Sequence, residues 1–166
     1  MQPPRVMLAT LASDAFDDPH WIFETKWDGV RALCHIDRTG RMTLVSRTGQ
    51  DLAGAFPDLA ALAGAFSGAP LTVDGEIVAL DEHGISSFQR LQARLNRAKP
   101  TAAEVDAVPV RFVVFDLLQH RGRETTALPL EERKALLKAA VKPRRVLRGT
   151  RGIVTLSGHV RGKGVA

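Results

Sequence analysis

Apolar and polar positions alternate at two periods along this chain, and the switches between them mark out its elements. Period-two alternation places successive side chains on opposite faces and signals a strand. It predicts strands over Trp21 to Lys26, Val30 to Asp37, Met42 to Val45, Leu71 to Leu80 and Val110 to Leu118. Shorter strands are expected over Arg145 to Leu147 and Ile153 to Ser157. Arg38-Thr39-Gly40 is a turn signal, so 30–46 reads as a hairpin. Helical spacing appears in three places. Pro57 suits a first helical position ahead of Leu59, Leu62, Ala63 and Phe66. Ser86 or Ser87 can cap a helix bearing Phe88, Leu91 and Leu95. The stretch 129–140 carries Leu130, Arg133, Lys134 and Leu137 at helical spacing. A loop is expected up to Val108, a polar turn over His120 to Arg123, and a turn-rich end over Gly158 to Gly164.

Face assignments follow from the alternation. Asp74 and Glu76 point the same way from the strand over 71–80. On the strand over 110–118, the most β-prone run in the chain, Val113, Phe115 and Leu117 share one face. Phe112, Val114 and Asp116 share the other. Strands and helices do not alternate strictly and hairpins recur. The expected class is therefore α+β, with mixed, largely antiparallel sheets and flanking helices.

Composition narrows the picture. With 166 residues, 45% of them apolar, the chain can bury the core of one domain or part of a larger one. No apolar run is long enough to span a membrane as a helix, and no signal peptide is visible. The single cysteine, Cys34, lies in an apolar strand and reads as a small buried side chain, which suits a reducing cytoplasm. The net charge of +5 is uneven. From Val141 to the end there are seven basic residues and no acids, which leaves 16 basic against 18 acidic residues over 1–140. That basic end suits a phosphate-bearing partner or a solvated face equally well. The five histidines show no metal-ligand spacing. Ser157 to Gly164 has three residues between glycines where a phosphate-binding loop has four, and it ends in Gly164 rather than Ser or Thr.

The densest chemistry lies in Phe23-Glu24-Thr25-Lys26-Trp27-Asp28-Gly29-Val30-Arg31. Alternation places Glu24 and Lys26 on one face, at the end of a strand and beside apolar bulk. A lysine attacks only as the free amine, a form that desolvation or a neighbouring cation favours, and Arg31 is a candidate for that cation. Taken alone, Lys26 reads as a surface lysine at a hairpin end, and Phe115 as a core aromatic.

Lys26-Trp27-Asp28-Gly29-Val30-Arg31 resembles the Lys-x-Asp-Gly-x-Arg motif of ATP-dependent DNA ligases and their relatives, the RNA ligases and mRNA capping enzymes. Three further stretches follow in that family's order. Ser46-Arg47-Thr48-Gly49 resembles its Ser-Arg-x-Gly element. Asp74-Gly75-Glu76-Ile77-Val78 resembles the strand with the ribose-contacting glutamate, and Val113 to Leu118 the strand with the adenine-stacking aromatic. Met7-Leu8-Ala9-Thr10 and Phe88-Gln89-Arg90-Leu91-Gln92 are most similar to the bacterial ligase-D type used in end joining. Four motifs in order are far more specific than any one of them.

The resemblance implies an ATP-grasp-like nucleotidyltransferase fold. It also implies a reaction in which Lys26 takes AMP from ATP and passes it to a DNA 5′-phosphate. It makes Lys26 the nucleophile. Glu24 would read the adenine edge, Arg31 and Arg47 would contact ribose or phosphates, and Phe115 would stack on adenine. Glu76 would bind the ribose hydroxyls or help hold a metal ion, Mg²⁺ or Mn²⁺, with Asp28 as a second metal-site acid. The implied partners are DNA with nicks or ends, and end-joining proteins. The family's later Glu-Gly-(Ile/Val)-Val-x-Lys strand has only a partial echo in Arg151-Gly152-Ile153-Val154. The expectation is thus a partial adenylation domain over 1–166 without the OB-fold domain. Two other readings are a non-catalytic nucleotide- or DNA-binding remnant, and RNA ligase or capping chemistry.

Overall fold

The structure is a computed structural model, which describes residues 6–8, 10–142 and 152–165. Its centre is a curled sheet in the order β3-β2-β4-β5-β6, with β7 added beside β5. The strands are β2 (Val30–Ile36), β3 (Met42–Ser46), β4 (Leu71–Ala79), β5 (Val110–His120), β6 (Arg123–Glu124) and β7 (Val154–Leu156). The β5–β7 pair is parallel, and the other pairs among the described residues are antiparallel. A separate two-stranded sheet pairs β1 (Ile22–Glu24) with β8 (His159–Arg161). The α+β, largely antiparallel expectation holds.

One face of the main sheet carries the core. Ala32, Cys34 and Ile36 of β2 meet Val73 and Ile77 of β4 and Phe112, Val114 and Leu117 of β5. A 3-10 helix (Pro57–Gly64) closes over them with Leu59 and Leu62, both fully buried. Pro57 starts it, as expected of a residue that pre-sets helical φ. Helix α1 (Phe88–Leu95) adds Leu91, and its Ser87 side chain caps the Arg90 amide. Burial of this kind is the main favourable term in folding.

The alternation read for β5 is overturned at Phe115, and a second register shift lies between Thr72 and Val73 of β4. Asp74 pairs with Asp116, yet the next residue of β4, Gly75, pairs with Val114. Phe115 is the extra residue of a β-bulge. A bulge shifts the phase of all that follows. Leu117 therefore joins Phe112 and Val114 in the core instead of sharing a face with Val113 and Phe115.

Four elements differ from the sequence reading. Helix α2 (Ala102–Ala107) stands where a loop was expected. A capping box in which Thr101 and Glu104 satisfy each other's backbone amides starts it. Strand β8 forms inside the expected turn-rich end because β1 offers it an edge, and β6 forms where a polar turn was expected. Strand β1 stops at Glu24, so Lys26 stands beyond it. The strand expected over 145–147 lies outside the described residues.

Helix α3 (Leu130–Ala140) packs along β5, and an ion pair fixes it there. Arg133 donates from Nε and Nη2 to the two oxygens of Asp116 at 2.8 and 3.0 Å, and both residues are buried. Replacing Asp116 by alanine strands the Arg133 guanidinium. The expected cost is about 3–5 kcal/mol of stability, the range for breaking a buried pair from one side. Denaturant unfolding of Asp116→Ala against the parent chain measures it, and a change under about 0.5 kcal/mol would contradict the role given to this pair.

Candidate active site

Lys26 sits on the connection between β1 and β2, and three contacts fix that connection. The backbone amide of Asp28 donates to Ser86 Oγ at 2.9 Å, while Asp28 Oδ2 accepts from the Phe88 amide at 2.9 Å. The turn is thereby clasped to the start of α1. Trp27 Nε1 donates to Ser157 Oγ at 3.1 Å, which ties the residue after Lys26 to the end of β7. Gly29 then passes so close to β4 that a Cβ there would lie 2.2 Å from the Ile77 carbonyl oxygen. Only glycine permits that approach. The motif glycine thus has a physical reason that owes nothing to ligands.

Beyond this turn lies a cleft of about 320 Å³. Glu24, Thr25, Lys26 and Trp27 form one wall, and Arg31, Glu76, Phe115 and Ser157 form the rest. The bulge explains how Phe115 reaches the cleft, since it frees that residue from the ladder and turns its ring out of the core. Arg31 and Glu76 are direct cross-strand partners on β2 and β4. Arg31 forks onto Asp74 with Nε–Oδ1 at 3.0 Å and Nη2–Oδ2 at 2.7 Å, and Nη1 donates to the Met7 carbonyl at 2.8 Å. Hydrogen bonding to Asp74 holds the guanidinium above its ordinary pKa. Its Cζ lies 5.5 Å from the centre of the Phe115 ring, a cation–π distance that steadies the ring.

Burial pushes the Glu76 carboxyl up to about 7, and the charges of Lys26 and Arg31 only partly oppose this. Lys26 is exposed, lines the cleft and makes no hydrogen bond or ion pair with a described residue. Glu24 Oε1 accepts from Lys134 Nζ at 2.8 Å, and the same ammonium donates to the Phe115 carbonyl at 3.0 Å.

Of the residues singled out in the sequence, Lys26, Glu24, Arg31, Glu76 and Phe115 meet in this cleft. Two do not line it. Arg47 is exposed in the turn after β3, where Gly49 takes a φ of +88°. Asp28 is in its clasp on α1, with one carboxylate oxygen engaged. Trp27, Ser157 and Lys134 were not foreseen as parts of the site. Lys134 had a signal, because a charged residue on the stripe a helix buries needs an acid to meet it. Among the described residues no group of three or more His, Cys, Asp or Glu side chains forms a cage for a metal ion. The donor set fits a cation of the magnesium type, which takes one or two carboxylates and completes its shell with phosphates and water.

Comparison with known proteins decides the family. A family model described as the ATP-dependent DNA ligase domain matches residues 6–154. The chain belongs to the ATP-dependent DNA ligase domain family. Over 134 residues it is 38% identical to the multifunctional non-homologous end joining protein LigD of Mycolicibacterium smegmatis, covering 80% of this chain and 16% of that protein. Over 139 residues it is 40% identical to a probable DNA ligase of Koribacter versatilis, covering 81% of this chain and 24% of that one. Among solved structures it is similar to mycobacterial DNA ligase D complexed with ATP and MES, with a TM-score of 0.63 and 29% identity over 86% of this chain and 41% of that one. The ligase domain of LigD from M. tuberculosis gives a TM-score of 0.63 at 31% identity, over 87% of this chain and 41% of that one. The fold is thus that of this family's ligase domains, and the chain spans a quarter or less of the length of these two curated relatives.

Two measurements test the site's construction. Gly29→Ala forces β2 away from β4 and is expected to lower stability by about 1–3 kcal/mol, as overpacking does. Thermal or denaturant unfolding reads this directly. The second concerns Glu76. An ordinary glutamate ionises near 4.5 and the folded Glu76 near 7, so between those values the folded state holds the extra proton. Its contribution to stability is therefore highest at low pH and declines as pH rises from about 4.5 to about 7. Glu76→Gln should remove that part of the slope, seen as a gap between the two stability curves that changes across this window and is flat above it.

Proposed function

We propose that this chain carries the lysine-adenylating site of an ATP-dependent DNA ligase of the end-joining type. The observation that supports it most is the meeting of Lys26, Glu24, Glu76 and Phe115 in one cleft, drawn from β1, the β1–β2 connection, β4 and β5. In this reading the purine of ATP slides over the Phe115 ring, Glu24 faces its amino edge and Glu76 faces the ribose. The Lys26 amine attacks the α-phosphorus. A P–N bond forms, the P–O bond to pyrophosphate breaks, and the amine loses a proton. The lysine–AMP adduct stores the activated nucleotide. An oxygen of a DNA 5′-phosphate then displaces the lysine, and attack by the adjoining 3′-hydroxyl seals the strand and releases AMP.

Charge develops on the phosphates throughout, and cations placed beforehand stabilise it. Arg31, and Arg47 from the turn after β3, supply part of that charge. A divalent cation, magnesium or manganese, would supply the rest; Glu76 in the cleft would hold it, with the second oxygen of Asp28, outside the cleft lining, as the further acid. The substrates in this reading are DNA with nicks or ends, with end-joining proteins as partners. Among the described residues no helix is long and apolar enough to cross a membrane. The buried free thiol of Cys34 suits a reducing, cytoplasmic setting.

Incubation with α-labelled ATP and Mg²⁺, followed by a denaturing gel, tests the chemistry. Label should stay on the parent chain and be lost from Lys26→Ala. Label that persists on Lys26→Ala would assign the nucleophile elsewhere. A parent chain that binds ATP without ever becoming labelled would favour a nucleotide-binding role without turnover.

A further inference from the structure

Helix α3 sends its charged side chains to three different strands. Arg133 grips Asp116 of β5, Glu131 pairs with Arg161 of β8, and Lys134 reaches Glu24 of β1. Strand β1 pairs only with β8 among the described strands, so no backbone ladder ties Glu24 to the main sheet. The Lys134 ammonium provides that tie. Its side chain is only 10% exposed, and it donates both to Glu24 Oε1 and to the Phe115 carbonyl. A lysine buried this far needs partners for its charge. Here the partners are the carboxylate of one cleft residue, Glu24, and the backbone carbonyl of another, Phe115.

We propose that Lys134 is a positioning residue for nucleotide-base selection: it fixes the Glu24 carboxylate, as an acceptor, at a set distance from the Phe115 ring. The proposal rests on the adenylation reading for the identity of the ligand. With Oε1 held by Lys134, Oε2 is left to accept from a base edge that donates. A 6-amino purine presents a donor there. A 6-keto purine presents an oxygen, which meets a carboxylate unfavourably, and such repulsion is a direct source of specificity. Losing Lys134 releases Glu24 to turn toward solvent and weakens both the attraction and the repulsion.

The test compares ATP with ITP, which carries a 6-keto group and an N1 proton in place of the 6-amino group and bare N1 of ATP. Equilibrium binding of each is measured on the parent chain, Lys134→Met and Lys134→Arg, with thermal unfolding recorded alongside. The parent should prefer ATP. In Lys134→Met the preference should shrink by about tenfold, the scale of one charge-assisted hydrogen bond. Lys134→Arg keeps a cation and should retain part of the preference even if Lys134→Met folds poorly. A purely structural lysine would instead weaken ATP and ITP binding equally. That result, or a parent with no preference, overturns the proposal. Nucleotide preference in a parent chain that never self-labels leaves the proposal standing and counts only against the covalent chemistry. A parent that binds neither nucleotide overturns both.

Discussion

Two buried carboxylates face each other across the centre of the sheet, and the site is built around the way they are neutralised. Asp74 of β4 and Asp116 of β5 are cross-strand partners, both almost out of contact with water. Like charges placed directly opposite are unfavourable, and burial makes each costlier still. The chain answers with an arginine fork for each acid, Arg31 for Asp74 and Arg133 for Asp116. The two forks come from different elements, and each brings something with it. Arg31 arrives over the Phe115 ring and fixes one wall of the cleft. Arg133 seats α3 on β5, which places the next residue, Lys134, against Glu24. Electrostatic necessity in the sheet thereby sets the geometry of groups that lie outside the Asp74–Asp116 pair itself.

Backbone irregularity does the remaining positioning. The bulge that projects Phe115 into the cleft lies at the same point of β5 as Asp116, and Gly75 stands opposite it. A Cβ on Gly75 would lie 2.6 Å from the Val113 carbonyl oxygen and 2.7 Å from the Phe112 ring. The Asp-Gly-Glu run of β4 therefore combines a buried acid, a close backbone approach and a cleft carboxylate in three successive residues. Each has a separate physical duty. Gly29 plays the same part where β2 leaves the Lys26 turn. Glycines at these two places let the strands draw close enough for Glu76 and Arg31 to stand side by side.

Much of this was legible in the sequence because period and turn chemistry are local. The limits of β2, β3 and β4 follow from alternation and Gly-bearing turns, and the structure moves them by a residue or so, while α1 starts at its serine cap but ends at Leu95 instead of running on to the expected close at Lys99-Pro100. The ordered motifs already grouped Lys26, Glu24, Arg31, Glu76 and Phe115. What the sequence hid was non-local. Nothing in Val113 to Leu118 announces that Phe115 is the residue left out of the pairing, because a bulge depends on the partner strand. Strand β8 forms only because β1, far earlier in the chain, offers it an edge. The Thr101–Glu104 capping box was visible, but the short helix after it buries none of its residues, so periodicity gave no support. Arg133 and Lys134 stood out only as cations on the stripe that α3 buries, and which acids they meet, Asp116 and Glu24, depends on the fold.

In the proposed reaction Lys26 would be a covalent carrier, and the division of labour around it suits that role. Its neighbours are fixed: Trp27 by Ser157, Asp28 by α1, Arg31 by Asp74, and Glu24 by Lys134. Lys26 itself has no such tie to a described residue and lies beyond the end of β1 rather than within it. An amine that takes up a phosphoryl group and later hands it on occupies more than one position in a cycle, so a partner holding it in the resting state would oppose the first step. The walls must not move, because orientation of the reacting atoms supplies much of the rate in reactions of this kind. In the proposed reaction, an amine without a tie to a described residue, on a clasped turn, would meet both demands, and the clasp uses Asp28 and Gly29 of the motif.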